Sequence, residues 1–281
     1  MSRPHLPSGV GRFFVLTFAL TWLLWLPMLL AGHHLIGPVI GTVQSTLLLA
    51  LGTAVPSFVA LALAARSGGA AALLCGLTRW RLPARWYAAV LLIPAALMLT
   101  AVGLDVLLGG TAPSFASPER WPLVAVNFLA VLLIGGPLGE ELGWRGYALP
   151  RLDLKLNSTA AAVLLGLVWA AWHLPLFLLP GTPQAQLPLV WFVLQTVAFS
   201  VLLAWVYRRT GGSLLLVVLL HGVVNTLAGP LRVLPTAGGT LRPYILITLL
   251  TVAAALLVSW QGQSGRPVRM LGAPTAALEN R

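Results

Sequence analysis

Apolar runs about as long as a bilayer is thick recur along the chain, separated by short polar stretches. Eight runs predict eight transmembrane helices: Phe13 to Leu30, Gly41 to Ala64, Trp86 to Leu108, Val124 to Leu149, Ala160 to Leu179, Leu187 to Tyr207, Leu214 to Ala228, and Pro243 to Trp260. The seventh is the shortest. Residues 66–85, RSGGAAALLCGLTRWRLPAR, are too polar to span yet carry Leu73, Leu74, Leu77 and Trp80 among arginines, the pattern of an interfacial segment. No repeat or low-complexity tract divides the chain. The expectation is an all-α, polytopic transmembrane helical bundle, with one membrane-embedded domain over residues 1–260 and a polar tail over 261–281.

Composition agrees with the pattern. Hydrophobic residues make up 58% of the chain and charged ones 8%, with a mean hydropathy of +0.92, outside the balance of soluble domains. The formal charge of +11 does not indicate nucleic acid, because the basic residues are scattered singly or in pairs with no basic helix face. They read as topology signals. With both termini in the cytoplasm, 14 of the 17 Lys and Arg residues fall on the inside and only Arg120, Arg232 and Arg242 on the outside, as the positive-inside rule requires for a multi-pass protein of the cell membrane. The first apolar run is nearly span-length and lacks a small-residue cleavage site, so it reads as a helix rather than a signal peptide. A single cysteine, Cys75, excludes an intrachain disulfide and any cysteine cluster for a metal.

Six Asp and Glu residues occur in all, which makes Glu140 and Glu141, side by side in GGPLGEELGWRG after an apolar run, the feature to explain. A carboxylate beside hydrocarbon costs several kcal/mol unless paired or hydrogen-bonded, so such groups suggest function. Arg145 lies one helical turn after Glu141 and can pair with it. Two further polar spots interrupt apolar runs: Trp169 and His173 in WAAWH, and His221 and Asn225 in HGVVN, each with its partners four apart on one helix face. The other histidines, His5, His33 and His34, fall near predicted ends, and Asp105 reads as a boundary residue.

Glu, His and Asn in one place suffice for hydrolysis: a glutamate accepts a proton from water, a histidine holds that water, and His and Asn donate to an oxyanion. One Glu and two His would equally suit zinc with a water as fourth ligand, and spacing does not separate the two. No HExxH and no GxGD occurs, and Ser213 in TGGSLLL reads as a helix N-cap rather than a nucleophile.

Glu140–Glu141–xxx–Arg145, then Trp169 four before His173, then His221 four before Asn225 resembles the CPBP family of intramembrane endopeptidases, which includes CAAX prenyl proteases of the Ras-converting type and relatives linked to bacteriocin processing and immunity. Trp169 stands where Phe is common in that family. The motifs fall within about residues 120–230. The resemblance implies a polar intramembrane cavity open to the cytoplasm and a membrane-associated or lipidated peptide as substrate. It assigns water activation to Glu140 and His173, orientation to Glu141 and Arg145, and oxyanion stabilisation to His221 and Asn225. The family has been described both as metal-dependent and as glutamate-type; the expectation here is the glutamate type without a cofactor, with zinc as the alternative.

Two other readings compete. A non-catalytic immunity or scaffold protein of the same fold would sequester a peptide without cleaving it. A proton-coupled transporter would use the Glu and His residues as a relay, but no repeated half with a second broken helix is present. Depth poses a further question: at 1.5 Å per residue His173 falls about 20 Å and His221 about 10 Å from the cytoplasmic ends of their helices, with Glu140 near the cytoplasmic side. A kink at Gly135–Gly136–Pro137 and a tilted fifth helix, N-capped by Asn157 or Ser158, are the predicted remedies.

Overall fold

A computed structural model of the chain describes residues 9–36, 41–113, 121–237 and 240–263. His5, Arg120 and the tail beyond residue 263 lie outside the described residues, as do Arg3, Arg266, Arg269 and Arg281.

All regular structure described is helical: α1 (Val10–Gly32), α2 (Thr42–Ala65), α3 (Ala70–Cys75), α4 (Ala84–Leu107), α5 (Trp121–Ile134), α6 (Pro137–Glu141), a π-helical segment (Leu142–Ala148), α7 (Leu149–Asp153), α8 (Ser158–Trp172), α9 (Leu174–Phe177), α10 (Leu189–Arg209), α11 (Leu214–Ala228) and α12 (Leu241–Gln263). Six stretches are long and apolar enough to cross a membrane: α1, α2, α4, α10, α12 and the broken Pro122–Asp153 segment. Of the eight expected transmembrane helices, six reach that length. The fifth and seventh are the shorter apolar helices Ser158–Trp172 and Leu214–Ala228, about 22 Å long at 1.5 Å per residue against a hydrocarbon core of about 30 Å. The fifth stops at Trp172 because Pro175 cannot donate to Ala171, and the chain turns into α9.

The helices associate through small residues, as expected where lipid removes the hydrophobic drive between them. Gly139 and Gly143, four apart, lie against α2 so closely that a Cβ would come within 2.8 Å of Ala54 Cα and 2.6 Å of Pro56 O. Gly166 lies equally close to Val197 on α10. Pro56 lacks the N–H that would bond Gly52 O; Thr21 Oγ1 on α1 donates to that carbonyl instead, at 3.1 Å. Ser57 on α2 donates to Leu138 O at 2.9 Å, fastening the start of the glutamate-bearing turn. At the opposite end Arg242 of α12 pairs with Asp105 and donates to Leu108 O, closing the last turn of α4.

Candidate active site

The fourth apolar segment breaks where the sequence predicts. α5 ends at Ile134, Gly136 adopts a left-handed φ of 108°, and Pro137 opens α6 at the first position, where its missing N–H costs nothing. The φ favours glycine, and a Cβ there would also lie 2.4 Å from Glu140 Oε1, so any other residue would displace that carboxylate. Past Glu141 the helix widens into the π segment, whose turn holds about one residue more than an α turn and which often marks functional sites.

Glu140 and Glu141 are both buried, at 4% and 0% exposure, and Arg145 and His221 are buried with them. Arg145 Nη1 donates to both Glu141 oxygens, at 3.0 and 3.1 Å, and its guanidinium carbon lies 4.4 Å from the centre of the Trp169 ring. His221 Nδ1 lies 2.8 Å from Glu141 Oε1. A carboxylate already paired with an arginine only accepts, so Nδ1 carries the hydrogen and Nε2 is the nitrogen left available. Glu141 therefore serves as an anchor, tying α6, the π segment and α11 together.

Glu140 has a different partner. Trp169 Nε1 donates to its Oε2 at 2.7 Å, leaving Oε1 on the side of Gly136. The Trp169 ring also stands edge-on to His221, 5.4 Å between centroids, and both touch Phe199. The Trp169 carbonyl accepts from His173 Nδ1 at 2.8 Å, which again leaves Nε2 available. The His173 ring is held among Trp172, Trp169 and Phe192. Asn225 is exposed and donates to Gly135 O at 3.4 Å, at the break itself. Among the described residues, then, Glu140, Glu141, Arg145, Trp169 and His221 form one contact cluster, while His173 and Asn225 join it through backbone carbonyls at its edges.

The depth question resolves by symmetry and by a recessed helix. The hairpin from α6 through α7 to α8 turns near Leu154 and Lys155, with α8 capped by Asn157 Oδ1 accepting from Ala160 N–H at 2.8 Å. Residues 140 and 169 are equidistant from that turn, so they face each other. α11 begins level with the π segment rather than with the hairpin turn, because its first residue, Leu214, packs at Gly146; a Cβ on Gly146 would lie 3.1 Å from Leu214 Cδ1. Two turns of α11 then bring His221 level with Glu141. Ser213 caps α11 through Oγ, which accepts from Leu216 N–H at 3.4 Å.

The residue missed by sequence reasoning is Trp169, assigned a place in the pattern but no role. Its signal was an indole one turn before a histidine on an apolar face; its partner, on another helix, gave none. Among the described residues no three His, Cys, Asp or Glu side chains converge as a metal-ligand set. Glu141 is occupied by Arg145 and His221, so the one Glu and two His of the zinc alternative would have to be Glu140, His173 and His221. An apolar groove of about 400 Å³ runs between α4, α5 and α11, lined by Leu91, Phe128, Val223, Thr226 and Leu227 among others and by none of the cluster residues.

Comparison with known proteins follows the same segment. Residues 121–227 match the family described as Type II CAAX prenyl endopeptidase Rce1-like. A 92-residue stretch is 29% identical to CAAX prenyl protease 2 of Methanococcus maripaludis, covering 31% of this chain and 34% of that protein. The chain thus aligns with about a third of that relative's length. The cluster and the break that carries it lie inside residues 121–227, the stretch that matches the Rce1-like type II CAAX prenyl endopeptidase family.

Proposed function

We propose that the protein is an intramembrane endopeptidase of the CAAX protease type, hydrolysing a peptide bond of a membrane-associated or lipidated peptide. The observation that carries this reading is Glu140, buried, held at one oxygen by the Trp169 N–H and open at the other beside Gly136. A water at Oε1 gives its proton to Glu140 as its oxygen attacks the peptide carbonyl, with His173 Nε2 accepting a second hydrogen bond to orient it. The tetrahedral oxyanion takes its donors from His221, as Nε2–H of the imidazolium beside Glu141, and from the Asn225 amide. Glu140 then returns the proton to the departing amine, so that one water is consumed and an acid and an amine leave.

Glu141 and Arg145 fix this geometry without touching the substrate. The apolar groove on α11, the helix that carries His221 and Asn225, supports a substrate that carries a hydrocarbon chain. Both termini lie in the cytoplasm on this reading, although Arg145, being buried in an ion pair, leaves the tally of inside charges, which becomes 14 − 1 = 13 against 3.

The test is cleavage of a pool of membrane-anchored peptides by the purified protein, with products identified by mass spectrometry before and after exhaustive chelation. Discrete cleavage that survives chelation is expected. Binding of peptides with no cleavage of any would favour the sequestering reading instead.

A further inference from the structure

Residues 66–85, between α2 and α4, contribute no group to the site. The segment carries four exposed arginines, Arg66, Arg79, Arg81 and Arg85, and no acidic residue. Trp80 is 58% exposed and Leu74 44%, and the Arg81 guanidinium lies 5.3 Å from the centre of the Trp80 ring. Asp153, a carboxylate on the same side of the molecule, is occupied by Arg208 at 2.7 Å. Among the described residues none of the four arginines has a carboxylate partner. The described part of the chain offers them no counter-charge.

The segment is also fastened to the site's framework. The Arg79 side chain donates to Gly211 O, Ser213 Oγ donates to Arg79 O at 2.9 Å, and Leu214 N–H donates to Gly76 O at 2.8 Å. It therefore covers the first turn of α11, the helix that presents His221 two turns further on. Leu73, on α3, packs at Gly146 in the segment that holds Arg145.

We propose that residues 66–85 are a docking surface for anionic phospholipid headgroups, with the phosphates on the arginines and Trp80 seated at the headgroup boundary, and that its occupancy steadies the start of α11. The occupant follows from the surroundings. A segment joining two membrane helices, with exposed tryptophan and leucine between unpaired arginines, meets the headgroup layer of its own leaflet first. The arginine fork suits phosphate oxygens. The proposal does not depend on the proteolytic reading.

The experiment uses the full chain in nanodiscs of phosphatidylcholine with graded phosphatidylglycerol, scoring retained lipids by native mass spectrometry. The wild type is expected to retain phosphatidylglycerol preferentially, and the preference to fall roughly fivefold per arginine removed in Arg81→Gln and Arg81→Gln/Arg85→Gln. Hydrogen exchange across Leu214 to Leu220 is expected to be slower with phosphatidylglycerol in the wild type only. Circular dichroism verifies that the exposed substitutions leave the helices intact. Equal retention of both lipids by the wild type, or an undiminished preference in the double variant, overturns the docking surface. Exchange in α11 that ignores the lipid overturns its coupling to that helix. Arginine-dependent capture of a soluble polyglutamate peptide, without lipid preference, would assign the surface to an acidic protein and overturn the lipid.

Discussion

Glu141, Arg145 and His221 form a buried set joined through the Glu141 carboxylate, and removing one member exposes the rest. Arg145→Leu would leave Glu141 without the Nη1 donor that both its oxygens share, in a buried site. The expected loss is about 3–5 kcal/mol of stability, the usual consequence of orphaning one partner of a buried pair, read as a fall in unfolding midpoint in detergent. Trp169→Phe should behave differently. It keeps an aromatic ring against Arg145 and His221 but deletes the N–H on Glu140 Oε2. A hydrogen bond to a charged group contributes about 1.5–3 kcal/mol. If held through the transition state, its loss lowers kcat roughly 10- to 100-fold at unchanged KM. At this scale the sequence is informative where residues are rare. Six carboxylates in a hydrophobic chain expose the glutamate pair, and two mid-segment histidines expose α8 and α11. Trp169, one of 11 tryptophans, is not rare, and its hydrogen bond crosses between helices.

At the scale of elements, the break before the glutamates sets the site. Gly136→Ala meets both a φ of 108° and an oxygen 2.4 Å from its new methyl group. A cost of about 1–3 kcal/mol for the backbone strain is expected, together with loss of turnover, because relief moves Glu140 itself. Gly143→Val tests the neighbouring contact. It should part α2 from the π segment and lower the unfolding midpoint while Gly103→Val, on open space in α4, leaves it unchanged. The break and the caps at Asn157 and Ser213 are legible because Gly, Pro, Asn and Ser act through their own backbone chemistry. The π segment is not legible, since LGWRGYA has no residue type that demands a wider turn. Nor is the boundary between α8 and α9, where one apolar run from Ala160 to Leu179 conceals Pro175.

For the whole molecule, counting apolar runs recovers the all-helical membrane architecture but not how short two of its eight apolar helices are. Hydropathy measures how apolar a run is, and α8 and α11 are apolar because they are enclosed by other helices as well as by lipid. Their shortness is what places Trp169 and His221 at the glutamates. Orientation remains testable through the chain's single thiol. Cys75 is exposed in the 66–85 segment, which faces the cytoplasm on the proposed topology. A membrane-impermeant maleimide should therefore label it in inside-out vesicles and not in intact cells; labelling of intact cells would invert the topology and the side from which substrate arrives.

The central claim, that Glu140 is the base of a buried hydrolytic site, is tested most directly by Glu140→Gln, which keeps the size of the side chain and an acceptor for Trp169. The measurement is single-turnover cleavage of a membrane-anchored peptide by purified wild type and variant at matched folding. The account predicts an unfolding midpoint at least as high as that of the wild type and no detectable product. Cleavage by the variant at the wild-type rate would contradict it, and would move the chemistry away from the glutamate pair.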